Sequence, residues 1–77
     1  MAFKKIIKIQ PSDIETFVNL AHNCEFDIDV AEIDKERLTI DGKSILGVLN
    51  LDLNKALIVS CNGEDEEFSR FMEEHAA

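Results

Sequence analysis

No apolar run in this 77-residue sequence approaches the roughly 18 residues that a membrane-spanning helix needs. The basic start, Met1 to Lys5, leads only into a short alternating stretch. It has neither an apolar h-region nor a small-residue cleavage site, so no secretory signal is expected and the cytoplasm is the expected location. There are two cysteines, Cys24 and Cys61. They share no redox or metal-ligand spacing, and two free, buried thiols are expected in a cytosolic chain. Histidine is scarce as well. His22 and His75 have no evident third partner, which argues against a metal site, and no cofactor is expected. Basic residues number 8 against 16 acidic ones, a formal net charge of -8. That balance opposes binding to nucleic acid or to an anionic membrane. The carboxylates read as a solubilising surface, concentrated at Glu64 to Glu67. Three of the few basic residues, Lys4, Lys5 and Lys8, fall along one expected strand. The single proline and three glycines mark boundaries, and there is no linker, repeat or low-complexity tract.

What is present is enough for one domain over residues 1–77, with one small core. Residues 2–9 read as a strand with Ile7 and Ile9 on one face and Ile6 on the other. Gln10-Pro11 stops it. Ser12, with Glu15 three residues on, has the form of a capping box and predicts a helix from about residue 13. Ile14, Phe17, Val18, Ala21 and Cys24 form one stripe at helical spacing, predicting an end near Cys24 or Glu25. Phe26, Ile28 and Val30 alternate with polar or small residues as in a half-buried strand. After a turn at Asp34-Lys35-Glu36, Arg37 to Ile40 reads as a short strand with Leu38 and Ile40 on one face, closed by Asp41-Gly42. Ser44 is a fitting N-cap for a short apolar helix reaching about Leu51. Ala56 to Val59 reads as a buried central strand ending at Asn62-Gly63. Four carboxylates then open a last helix, where they meet its partial positive end. Phe68, Phe71 and Met72 are its core stripe, and the chain is expected to fray towards Ala77. The order β-α-β-β-α-β-α implies an α+β chain with helices packed on one face of a mainly antiparallel sheet.

That element order is the order of HPr, the phosphocarrier of the bacterial sugar phosphotransferase system. The segment Lys43-Ser44-Ile45-Leu46-Gly47-Val48-Leu49-Asn50-Leu51 resembles the HPr segment around the regulatory serine. There a basic residue precedes Ser, and Ile, Met or Leu, Gly and an apolar pair follow. The resemblance extends over residues 2–75. It implies a two-layer sandwich with a four-stranded antiparallel sheet and three helices on one face. The second HPr motif, Gly-Leu-His-Ala-Arg-Pro, carries the phosphoryl-accepting histidine at the start of the first helix. Here that region reads Ile9-Gln10-Pro11-Ser12-Asp13-Ile14-Glu15. Ser12 falls at the vacated histidine position, and Asp13 and Ile14 fall where Ala and Arg belong. A relay at this site needs an imidazole that takes and releases phosphate at neutral pH. A serine ester is too stable, and Asp13 and Glu15 would repel a phosphohistidine.

The resemblance therefore implies a regulatory or protein-binding module rather than an enzyme or a carrier, much like catabolite-repression HPr homologues that lack the histidine and keep the serine. Ser44 is either a helix cap alone or also a phosphorylation target, since a phosphate there would meet free N–H groups beside Lys43. Ile45, Leu46, Val48 and Leu49 cannot all be buried on one face. Either one or two of them form a docking patch or they are all drawn into the core. The implied partner is a protein such as a transcription regulator or the HPr serine kinase. Asn50, where the family usually has Ser or Thr, bears on recognition by that kinase. Two other readings stand beside this one: a phosphocarrier with its acceptor relocated to His22 or Ser12, and a plain interaction scaffold.

Overall fold

The computed structural model describes residues 3–77. Strand β1 runs Phe3–Ile7; the expected first residue of this strand, Ala2, lies outside the described residues. Ile7 and Ile9 are buried while Ile6 is exposed, as the alternation predicts. The chain then winds through a 3-10 turn, Pro11–Asp13, into helix α1, Ile14–His22. Strands β2, Ile28–Glu32, and β3, Ile40–Asp41, follow. Helix α2 is Ile45–Leu49, β4 is Leu57–Cys61, and α3 is Glu66–Glu74. The four strands form one sheet in the order β1-β4-β2-β3, every neighbouring pair antiparallel. The three helices cover one face of it. No helix among the described residues is long and apolar enough to cross a membrane.

The core lies between the helices and the covered face of the sheet. Each stripe read from helical periodicity is inside: Ile14, Phe17, Val18, Ala21 and Cys24 from the first, Phe68, Phe71 and Met72 from the last. Alternate strand residues Ile28, Val30, Leu57, Val59 and Cys61 meet them from the sheet. The two thiols are free and buried. Burial is the main reason the Cys24 thiol is pushed up to about 11, with Asp65 adding and Lys43 opposing. Burial also raises Cys61. Both are therefore protonated and unreactive at neutral pH.

Four local expectations are corrected. Ser12 does not cap α1. Pro11 starts a 3-10 turn, and Asp13 takes the reciprocal role instead: its carboxylate accepts the Gln10 N–H at 2.9 Å while its own N–H donates to the Gln10 carbonyl at 2.8 Å. Ser12 is left exposed on that turn. The third strand is shorter and later than Arg37 to Ile40. The Leu38 N–H donates to Lys35 in a turn and is lost to the ladder, so Leu38 is 67% exposed. The second strand begins at Ile28 rather than Phe26. The tail does not fray: Lys8 donates to the His75 carbonyl at 2.9 Å and Ala77 donates to Ile6 at 3.1 Å, so the C-terminus lies against the outer edge of β1.

Gly42 sits where β3 turns away from β2. Its N–H donates to the Ile28 carbonyl at 2.7 Å, and a Cβ there would meet Ile28 Cγ2 at 2.7 Å. Ile28 is fixed in the core, so it cannot yield freely. Gly42→Ala is expected to cost about 1–3 kcal/mol, measured by urea unfolding. At the opposite end of the sheet, Lys55 bridges Asp34 at 2.9 Å and Glu32 at 3.3 Å. Glu32 also accepts the Asp52 N–H at 2.8 Å. That backbone bond, then Lys55, holds the Glu32 carboxyl below its ordinary range, and Lys55 does the same for Asp34. Depressed carboxyls contribute stability above the ordinary carboxylate range and lose it as pH falls through their folded values. Lys55→Met is therefore expected to move the midpoint of acid unfolding to higher pH, followed by circular dichroism.

Candidate functional site

Ser44 opens α2 from an extended conformation, φ -98 and ψ 111, and its Oγ accepts the Gly47 N–H at 3.1 Å. This is the cap expected from the sequence. Gly47 makes room for it: a Cβ at that position would lie 3.4 Å from the Ser44 Oγ and 3.3 Å from Ile40 Cδ1. The preceding turn is held by Asp41, whose Oδ1 accepts the Lys43 N–H at 2.9 Å. The Lys43 ammonium donates to the Cys24 carbonyl at 2.9 Å, just past the end of α1. A cation there satisfies a carbonyl that the helix end leaves free, so Lys43 ties α2 to α1.

The apolar residues of α2 separate by helical geometry. Val48 points into the core and is fully buried. It therefore drops out of the expected partner-binding set, because a residue facing the sheet cannot also face a partner. Ile45 is 45% exposed, Leu49 55% and Leu46 72%. Leu49 lies four residues after Ile45 and three after Leu46, the spacings that share a helix face, so these three form a continuous apolar ridge on a single turn. Together they leave a small uncovered apolar surface on α2.

The region that would correspond to the vacated histidine is built differently. Ser12 is exposed with Asp13 beside it. His75 comes here as well, without any sign in the surrounding sequence. Its Nδ1 donates to the Phe71 carbonyl at 2.8 Å, its ring stacks on Phe71 at 4.1 Å, and its Nε2 is 3.7 Å from Asp13 Oδ2. Only the return of the chain end to β1 joins these residues, so no local pattern could have found the pairing. His22 is exposed on the last turn of α1, about 12 Å along the axis from the helix start. The structure does not bring His22 and His75 together into a site, and no group of three or more metal-ligating side chains occurs among the described residues.

No family model and no curated protein sequence matches the chain. Among solved structures it is similar to the crystal structure of a phosphocarrier protein HPr from Bacillus anthracis str. Ames, with a TM-score of 0.69 over 99% of this chain and 98% of that one. The fold is HPr-like. The two sequences are 21% identical, so the likeness is one of architecture. In this HPr-like fold the Ser44 helix and the start of α1 lie on the helical layer, and the open face of the sheet lies opposite.

Proposed function

We propose that this chain is an HPr-like protein without phosphocarrier activity, a cytoplasmic regulatory module that binds another protein through α2. The ridge of Ile45, Leu46 and Leu49 on the helix capped by Ser44 carries this reading. Three exposed apolar side chains on one helical turn cost solubility unless a partner covers them. Phosphorylation of Ser44 would put about two negative charges beside the ridge and replace a neutral cap bond with charge-assisted ones. Such a change would select between partners, for which a transcription regulator or a serine kinase of the HPr type is the expected class.

Against carrier activity stand the residues at the α1 start. Ser12 offers only a stable ester, and the Asp13 carboxylate opposes a second anion beside it. Incubation with phosphoenolpyruvate and enzyme I is expected to leave the protein without phosphate, read by intact-protein mass spectrometry. An acid-labile phosphoryl group mapped to His22, or any phosphate mapped to Ser12, would sink the reading and restore a relocated carrier. Incubation with ATP and the HPr serine kinase is expected to add one phosphate, and Ser44→Ala is expected to take none. Wild type left unmodified would leave a scaffold in which Ser44 is only a cap.

A further inference from the structure

All three helices cover one face of the sheet, and the other face is open. Two rows of side chains cross it in register. Ile6 lies beside Ile58, which lies beside Ala31. One step along the strands, the second row is Lys4, Ser60, Asp29 and Asp41. Ile33 extends the apolar surface one ladder step past β2, where its N–H donates to Ala56 at 3.0 Å. Ile6 and Ile33 are 42% and 40% exposed, whereas Ile58 and Ala31 between them are buried in the monomer at 8% and 2%. The charges on this face are segregated. Lys4 stands on one outer strand, and Asp29 and Asp41 stand as neighbours on the far side, where like charges repel. The other lysine on the face of β1, Lys8, is already committed to the carbonyls of Leu53 and Asn54 at 3.2 and 3.1 Å.

We propose that this face pairs with the same face of a second copy of the chain, about a two-fold axis parallel to the strands. Such an axis places β1 of each copy over β3 of the other and β4 over β2. Each Lys4 then meets the Asp29–Asp41 pair of its partner. The charges select this axis. An in-plane axis across the strands would set β1 on β1 and β3 on β3, which keeps each Lys4 at the opposite edge from its partner's acids. Aligned sheets pack in this manner at about 10 Å. Four strands of about five residues make a patch roughly 14 by 16 Å, about 220 Å² per copy and well below the roughly 800 Å² per partner of a standard specific interface. The overall charge of -8 also opposes association. The dimer is therefore weak and forms at high concentration.

Sedimentation equilibrium of the full chain, to about 1 mM at about 0.15 M salt, is expected to show a monomer–dimer equilibrium. Lys4→Glu and Asp29→Lys, both at exposed positions, are each expected to raise the dissociation constant at least about tenfold, because two symmetry-related attractions become repulsions. An equimolar mixture of the two variants is expected to dimerise again. Ile6→Asp is expected to remain monomeric with an unchanged circular dichroism spectrum. A chain that stays monomeric throughout overturns the proposal. So does a dimer indifferent to Lys4→Glu and Ile6→Asp, a pair of charge variants that fail to rescue each other, or a dimer lost instead in Leu46→Asp, which would place the contact on α2.

Discussion

Phe17→Ala is expected to remove about 3–5 kcal/mol of stability, the range for a buried phenylalanine cut back to a methyl group. The total for 77 residues is on the order of 4–12 kcal/mol, so the variant should be close to unfolding at 25 °C. Phe17 is fully buried and forms the centre of a chain of rings. Its centroid lies 5.6 Å from that of Phe68 and 5.9 Å from that of Phe71, tilted at 50° and 52°. Phe71 in turn stacks on His75. Removing the first ring leaves a void that the sheet, held by antiparallel ladders on both sides of β4, cannot close, and it also forfeits two aromatic contacts. A midpoint lower by roughly 15–30 °C is expected in thermal unfolding. Phe17→Leu, which keeps most of the volume, should cost about 1.5 kcal/mol or less. A loss of similar size in both variants would mean that ring contacts rather than filled volume dominate at this site.

The core that makes Phe17 decisive was legible in the sequence because helical periodicity needs only local information. The stripe from Ile14 to Cys24 and that of Phe68, Phe71 and Met72 are buried as read. The central position of β4 was legible for a similar reason, since Leu57, Ile58 and Val59 are apolar on both faces and only an inner strand needs that. Illegible features depended on competition between nearly equal local bonds. Ser12 and Glu15 satisfied the capping pattern, yet Asp13 reached the Gln10 N–H first from a 3-10 turn that Pro11 began. Leu38 matched a strand in composition, but a turn bond took its N–H. Other features required the tertiary structure itself. The return of the C-terminus to β1 brought His75 to Asp13 across most of the chain length, and no short window contains both.

The same limit applied to α2, where the sequence showed an apolar segment but not which residues faced outward. Leu46→Asp tests the outcome, and its expected effect on binding is large while its effect on folding is small. Leu46 is the most exposed of the large apolar residues, at 72%, so the folded chain gives up little when it changes. A partner that buried this side chain would lose about 1.5–3 kcal/mol of apolar contact and would also have to accept an unpaired carboxylate in its place. Together these weaken the complex by about a hundredfold or more. The check is affinity capture from source-cell lysate on immobilised wild type and on Leu46→Asp, followed by calorimetry with the protein recovered. Thermal unfolding of both should give the same midpoint within about 2 °C, as for an ordinary surface change. Ser44→Asp, captured in parallel, is expected to keep the cap while altering the set of proteins retained. Identical proteins held by all three would mean that the ridge on α2 is not the binding surface.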